Sequence, residues 1–215
     1  MYVDPALHQF LLRWHHPLLL ERDLIALFPQ HPQRRHEVLR LAQKHGVLLR
    51  LRRGIYLIQR PYQQDLPSRL EISHRLYGPS HVSLESALSF HQWIPEAVYA
   101  TTCATTKRSL SFNTPLGFFD YGRVPTKEFF LGVQRLEPGA HRALLIASPW
   151  RALADYIYAR KRHWNGVSEL SEDLRIEEEE LVASDRELLK ELSLYYPSMR
   201  VRNLLQKFLR ELFGS

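Results

Sequence analysis

Apolar side chains near the start of the chain recur at helical spacing. The first predicted helix starts at Asp4-Pro5, a capping residue followed by a proline suited to the first turn, and its apolar residues share one face. A second, short helix is predicted over residues 21–28, where apolar residues cluster before Pro29. A third is predicted over residues 33–45, since Gly46 is a typical helix stop.

The spacing changes after Gly46. Residues 47–58 contain two short runs typical of strands, on either side of Arg53-Gly54, a pair that favours a turn. Three helices followed by a hairpin with arginines at its tip is the element order of a winged helix-turn-helix. In such modules the third helix enters the major groove of DNA, and the hairpin, called the wing, contacts the backbone or the minor groove.

The rest of the chain predicts a second, mixed domain. Residues 61–68 contain two prolines and are predicted to link a first domain of residues 1–60 to a second of residues 69–215. Helices are predicted over residues 68–76, 84–93, 148–164, 184–194 and 198–213, and strands over residues 98–104, 110–112, 118–121, 129–133 and 143–147. The predicted fold class is therefore α+β: an N-terminal winged helix-turn-helix, then a mixed α/β domain with a small, mostly antiparallel sheet and C-terminal helices.

Positive charge is concentrated at the N-terminal end. Residues 1–60 hold ten Lys or Arg and four Asp or Glu, which gives them the whole net charge of +6, while the remaining 155 residues hold nineteen of each sign. Such an asymmetry indicates a surface for a polyanion, with nucleic acid the usual one. A basic surface that only faces water has the same composition, so charge by itself leaves both interpretations open.

The candidate DNA-contacting residues follow from the winged-helix prediction. Arg, Lys, Gln and His side chains can bond base edges or phosphates. On the polar side of the third helix and around the hairpin turn, these candidates are Gln33, Arg34, Arg35, His36, Arg40, Gln43, Lys44, Arg50, Arg52 and Arg53. The alternative is a winged helix that docks a protein and binds no DNA.

Two basic groups in the second domain are candidates for binding a partner. They are Lys107, Arg108, Arg160, Lys161 and Arg162. The second group follows a predicted helix, where cations are also favoured by the helix dipole and by water, so a purely structural role is the alternative.

The sequence offers little catalytic chemistry. Cys103 lies in a strand pattern and is expected to be a buried thiol, and the eleven histidines show no metal-ligand spacing. A glycine-rich phosphate loop and a nucleophile elbow are both absent from the sequence. We therefore expect no enzyme activity, no cofactor and no bound metal. The one enzymatic alternative is a metal-dependent nuclease using Glu85, Asp120 and Lys127-Glu128.

The composition also bears on the compartment. A single cysteine excludes an intrachain disulfide and fits a reducing environment. No apolar run approaches the roughly 20 residues that cross a bilayer, and residues 1–14 lack the features of a signal peptide. We expect a cytoplasmic protein with no membrane partner.

Several stretches of the chain resemble the AbiEi family of antitoxins from type IV toxin–antitoxin systems. The most specific is residues 77–96, YGPSHVSLESALSFHQWIPE. Also similar to the family are residues 105–108 (TTKR) followed by 114–117 (TPLG), residues 147–158 (ASPWRALADYIY) and the wing stretch 51–56 (LRRGIY). Trp150-Arg151 departs from the family pattern, where an acid–lysine pair is expected, and the C-terminal quarter matches nothing in it.

The resemblance implies a repressor that binds operator repeats in double-stranded DNA through its N-terminal winged helix and represses its own operon. It also implies that the C-terminal domain is an antitoxin against a nucleotidyltransferase-like toxin encoded nearby. A winged helix that binds repeats often works as a pair, which favours a homodimer on DNA, although no heptad repeat in the sequence indicates a dimer. Because the C-terminal quarter has no match, a solitary regulator without antitoxin activity is the alternative.

Overall fold

The computed structural model describes residues 3–96, 98–125, 127–139 and 142–214. The protein is α+β, as predicted, with a three-stranded antiparallel sheet, a six-stranded mixed sheet and helices at the C-terminal end. The N-terminal elements are α1 (Pro5–Leu12), β1 (Leu18–Leu20), a 3₁₀ helix (Glu21–Ile25), α2 (Pro32–Lys44), β2 (Leu48–Arg52) and β3 (Ile55–Ile58).

Local signals place most ends of these elements near their predicted positions. The Asp4 carboxylate accepts hydrogen bonds from two backbone N–H groups in the first turn of α1 and so caps that helix. α2 begins with Pro32 and stops before Gly46, whose φ of +70° lies in the left-handed region that favours glycine. The helix predicted over residues 21–28 is instead a 3₁₀ helix ending at Ile25, because so short a segment favours the tighter turn.

The three-stranded sheet is buried on both faces. β3 lies in the middle, antiparallel to β1 and to β2. Along β3, Tyr56 and Ile58 pack with residues of α1 and α2, whereas Leu57 points the opposite way and joins the larger core of the chain. The side chains of β1 and β2 alternate in the same way, and these strands contribute Leu18 and Leu51 to the larger core. The sheet therefore belongs to two hydrophobic cores at once.

The larger sheet combines parallel and antiparallel pairs. Its strand order is β6-β7-β5-β4-β9-β8, in which β5–β7 and β4–β9 are parallel and the other three pairs antiparallel. Residues 61–68, the predicted linker, form neither helix nor strand. The elements that follow them are α3 (Arg69–Leu76), β4 (Ser80–Val82), α4 (Leu84–Phe90), β5 (Thr101–Thr105), β6 (Leu110–Thr114), β7 (Gly117–Arg123), β8 (Val133–Leu136) and β9 (Leu144–Ala147).

Two parts of this sheet differ from the prediction. The short strand β4 was not predicted, since its three residues include Ser80 and His81 and show no alternation of apolar and polar positions. The strand predicted over residues 129–133 is wrong, because turns occupy residues 127–132 and β8 only begins at Val133. Glu128 and Gly132 have φ values of +52° and +70°, which a strand does not accommodate.

The C-terminal helices pack around α5 (Pro149–Ala159). Its residues 150–157 are all buried, and it contacts α4, α8 and α9. It ends before the predicted position 164, because Lys161 has a left-handed backbone with a φ of +56°. None of the helices in the described ranges combines the length and the apolar character that spanning a bilayer requires. The other C-terminal helices are α6 (Val167–Leu174), α7 (Glu178–Ala183), α8 (Arg186–Tyr195) and α9 (Met199–Phe213).

The two-sided packing of the N-terminal sheet can be tested at Leu57, which is 1 % exposed. We expect Leu57→Ala to lower the free energy of unfolding by about 2–5 kcal/mol, because it leaves a cavity between β3 and the larger core. Urea unfolding followed by circular dichroism measures the change. Leu12→Ala, at a position that is 58 % exposed, is the matched control. An effect at Leu57 no larger than that at Leu12 would contradict the packing.

Candidate nucleic-acid interface

One side of α2 packs inward and the other faces water. Val38, Leu39 and Ala42 are buried in the core that α1 and the three-stranded sheet share with this helix. The opposite side is thereby turned outward at helical spacing. The predicted DNA-contacting residues exposed on the helix are Gln33, Arg34, His36, Arg40 and Lys44.

Two of these cations are paired with acids of the protein itself. Arg40 donates two hydrogen bonds to the Glu37 carboxylate, of 2.9 Å from Nε and 2.6 Å from Nη2. This bonding lowers the pKa of Glu37 and raises the pKa of Arg40. The Arg34 guanidinium lies 3.4 Å from an Asp4 carboxylate oxygen. Ion pairs of exposed arginines contribute little to stability, so a phosphate can replace either carboxylate at small cost.

Two other predicted residues of α2 are engaged by the backbone. Arg35 Nη1 donates a 2.8 Å hydrogen bond to the Phe28 carbonyl, and Gln43 Nε2 donates one of 3.0 Å to the Leu39 carbonyl. Both side chains are half-buried. Arg35 thereby ties α2 to the segment before it, whereas the Gln43 bond lies within α2 itself, and neither residue is among the exposed side chains of the helix.

The hairpin turn lies beside α2. The backbone N–H of Glu21 donates a 2.9 Å hydrogen bond to the Gly54 carbonyl in the turn, and the Glu21 carboxylate lies 3.8 Å from His36 Nδ1 on α2. Gly54 has a φ of +73°, in the left-handed region that glycine adopts without strain. Helix and hairpin therefore present one continuous surface, held together through the 3₁₀ helix.

The arginines of the hairpin divide into two kinds. Arg50 and Arg53 are exposed, and Arg53 makes no hydrogen bond or ion pair with any residue that the structure describes. Arg52 instead donates a 3.0 Å hydrogen bond to the Leu76 carbonyl, and its guanidinium carbon lies 4.3 Å from the centre of the Phe112 ring. The Arg52 side chain thereby holds the hairpin against α3 and β6, and DNA contact by Arg52 stays a prediction.

We call the exposed residues of this surface the basic face. It consists of Gln33, Arg34, His36, Arg40, Lys44, Arg50 and Arg53. Glu21 and Glu37 also reach it, so the face carries both cations and the acids that compete for them.

The second predicted basic group, after α5, does not form one free patch. Arg160 forms ion pairs with two carboxylates, with its Nε 2.8 Å from Glu85 and its Nη2 2.9 Å from Asp120. Arg162 lies 3.6 Å from an Asp173 oxygen. Acids of the same chain therefore compete for these two arginines, and partner binding by them stays a prediction. Lys161 between them is exposed.

The first predicted basic group lies just past β5. Lys107 Nζ is 5.4 Å from the centre of the Tyr77 ring, within range of a cation–π contact. The Tyr77 hydroxyl donates a 3.1 Å hydrogen bond to the Arg108 carbonyl. Both basic side chains are exposed, so partner binding by them stays a prediction.

A buried polar cluster around Asp155 was not predicted from the sequence. The Asp155 carboxylate accepts hydrogen bonds from Arg151 Nε at 3.0 Å, Ser83 Oγ at 2.8 Å and the Tyr196 hydroxyl at 3.0 Å, and lies 3.2 Å from His81 Nε2. These residues come from α5, the β4–α4 connection, β4 and the segment before α9. Burial raises the pKa of Asp155, but the charge of Arg151 and the hydrogen bonds from His81 and Ser83 outweigh it and hold that pKa below its ordinary value.

The Asp155 cluster is structural. Burial lowers the pKa of His81, so the histidine is neutral at pH 7 and Arg151 is the charged partner of Asp155. Arg151 also donates hydrogen bonds to the Glu128 and Leu131 carbonyls, of 2.9 and 2.7 Å, which ties the turns before β8 to α5. Asp155 and His81 have no exposed surface, so no substrate reaches them.

The residues of the nuclease alternative do not assemble a metal site. Glu85 and Asp120 lie close together, but both carboxylates bond Arg160, which takes the place that a divalent cation would need. Within the described ranges, no three His, Cys, Asp or Glu residues are grouped so that they could hold a metal ion. Burial raises the pKa of Cys103 to about 12, so its thiol is unreactive at neutral pH.

The chain matches none of the known protein-family models and none of the curated proteins with which it was compared. The similarity to AbiEi antitoxins therefore stands only on the sequence stretches given above. Several residues of those stretches, among them His81, Ser83 and Asp155, lie inside the buried cluster.

The role of Asp155 as the counter-charge of buried Arg151 can be tested by substitution. We expect Asp155→Asn to lower the free energy of unfolding by about 3–5 kcal/mol, because it leaves the Arg151 charge buried without a counter-charge. Chemical unfolding at neutral pH measures the loss. Glu187→Gln, on the exposed side of α8, removes a carboxylate of the same charge without this consequence and should lower stability by at most about 1 kcal/mol, the effect of one charge in the first turn of a helix. Equal stability of the two variants would show that Asp155 is not the counter-charge.

Proposed function

We propose that this chain binds double-stranded DNA through the basic face and regulates transcription as a winged helix-turn-helix protein. The observation that carries the proposal is the joint exposure of α2 and of the adjacent hairpin turn on one surface, with Lys44 and Arg53 unpaired among the described residues. An α-helix fits the major groove, and cations beside it release counterions from the phosphates.

The element order supports the proposal. A helix, a short strand, a 3₁₀ helix, α2 and a β-hairpin follow one another, and the three strands pair as an antiparallel sheet with β3 in the middle. A winged helix-turn-helix uses such an order, with α2 in the place of the recognition helix and the β2–β3 turn as the wing. The buried side of α2 leaves only its polar side for a ligand.

The side chains of the basic face suit different parts of a duplex. Gln33 and Arg40 carry the donors that pair with base edges in the major groove, and Lys44 and Arg53 carry charges suited to phosphates. Arg52 acts indirectly, since it fixes the hairpin on Leu76 and Phe112. Glu37 is an internal competitor, because its carboxylate occupies the Arg40 guanidinium that a base or phosphate would take.

The similarity to AbiEi antitoxins extends the proposal to autorepression of an operon, to operator repeats bound by a homodimer and to a nucleotidyltransferase-like toxin as partner. Support for the toxin is confined to sequence similarity. The family-like stretches at residues 77–96 and 147–158 include buried residues such as Ser83 and Asp155, which maintain the fold. A regulator that acts without a toxin has the same basic face.

Fluorescence anisotropy with duplex DNA from upstream of the protein's own gene tests DNA binding. We expect affinity to fall steeply between roughly 50 and 200 mM salt, and the double variant Lys44→Ala/Arg53→Ala to bind more weakly with a salt slope lower by about 0.9 for each lost phosphate contact. Glu37→Gln should bind more tightly, because it frees Arg40. Both changes follow from charges at the basic face.

Lys190→Ala is the matched control, since it removes one exposed positive charge from α8 and should leave affinity and slope unchanged. No salt-dependent binding by the unmodified protein would overturn the proposal and favour a module that docks a protein. A loss in Lys190→Ala half as large as that in the double variant, which removes two charges, would show that overall charge, and not the basic face, drives the binding.

A further inference from the structure

A second cationic surface lies away from α2, in a cavity of about 620 Å³ near the end of α5. It is lined by Arg123, Tyr158, Ala159, Lys161, His163 and Arg200. We call it the cationic pocket. None of these residues is acidic, which distinguishes the pocket from the neighbouring surface, where Arg160 and Arg162 are paired with carboxylates.

Three separate elements bring the cations together. Arg123 is the last residue of β7, Lys161 and His163 follow the end of α5, and Arg200 lies in the first turn of α9. These positions are far apart along the chain, so the charge cluster is created by the fold. Neither the alternation of apolar residues nor the local charge count indicates it in the sequence.

Three of the four basic side chains of the pocket are available to a ligand. Arg123, Lys161 and His163 are exposed, and their side chains make no hydrogen bond or ion pair with any described residue. Arg200 is held in place by hydrogen bonds from its two terminal nitrogens to the Arg162 and Ile157 carbonyls, of 2.8 and 2.9 Å. Arg200 is thus fixed, and the other three basic side chains are free to contact an anion.

The start of α9 adds to the positive potential. Its first turn contains no acidic residue, and the Ser198 side chain makes no capping hydrogen bond. Negative charge is favoured at a helix N-terminus, yet this turn carries Arg200 and Arg202 instead. An anion bound beside Arg200 would relieve that unfavourable arrangement.

We propose that the cationic pocket binds a small molecule bearing two or more phosphates, in the manner of a nucleotide. Arg123 and Lys161 contact the phosphate oxygens, since guanidinium and ammonium groups form short, charge-assisted hydrogen bonds with them, and Arg200, whose terminal nitrogens bond carbonyls, adds its positive charge. The Tyr158 ring offers an aromatic surface to an organic ring of the ligand. The volume of the pocket is within the range of small-molecule sites. This site is separate from the basic face and does not depend on DNA binding.

Isothermal titration calorimetry with inorganic tripolyphosphate and with adenosine triphosphate tests the proposal on the full chain. We expect both to bind, and Lys161→Ala and Arg123→Ala each to weaken binding on the order of tenfold, the effect of losing one charge-assisted contact. Tighter binding of adenosine triphosphate than of tripolyphosphate, lost in Tyr158→Leu, would assign the ring contact. These substitutions leave the Arg200 hydrogen bonds intact.

Lys190→Ala is again the control for overall charge and should bind both probes as the unmodified protein does. The proposal is overturned if neither probe binds at physiological salt, or if Lys190→Ala loses as much affinity as Lys161→Ala. Duplex DNA is titrated in parallel. If Lys161→Ala loses affinity for duplex DNA as well as for the two phosphate probes, the residues of the cationic pocket belong to the DNA interface. A separate small-molecule site is then refuted.

Discussion

The N-terminal sheet is buried on both faces, and the position of every candidate DNA-binding residue depends on this constraint. Because Tyr56 packs toward α1 and α2 while Leu57 packs toward the larger core, the sheet cannot rotate without opening one of them. α2 is then left with a single accessible side, and the hairpin turn is fixed beside it by Glu21. The packing of the sheet therefore sets the direction in which the exposed side chains of α2 and of the hairpin turn point.

Charge alone does not identify a binding surface in this protein, because the fold decides which cations are free. In the sequence, Arg52 cannot be told from its neighbour Arg53, nor Arg160 from Lys161. In the structure, Arg52 contacts an aromatic ring and a carbonyl, and Arg160 bonds two carboxylates, whereas Arg53 and Lys161 have neither kind of contact within the described ranges. Exposed cations without a carboxylate partner among the described residues include Arg53 of the basic face and Lys161 of the cationic pocket. The two proposals are independent, since the first depends on the packing of α2 and the second on the meeting of β7, α5 and α9.

Helical and strand periodicity predicted the α+β class, the helix over residues 33–45 and the hairpin after it, because those signals are local. What escaped prediction depends on contacts between distant residues. Asp155 bonds Ser83 across the fold, and nothing in the spacing of either residue shows it. The wrong strand over residues 129–133 has the same origin: its apolar residues suggested a strand, but Arg151 bonds the Glu128 and Leu131 carbonyls and helps to hold residues 127–132 in turns. The one signal that could have indicated the buried cluster was the family-like sequence around these residues.

Hydrogen–deuterium exchange of the full chain, with and without duplex DNA from upstream of its gene, most directly tests whether the basic face is a DNA interface. We expect slower exchange in residues 33–44 and 50–54 on adding the duplex, with α8 unchanged as an internal reference. Protection confined to other elements, or no change in α2 and the hairpin at a DNA concentration that saturates binding, would contradict this expectation.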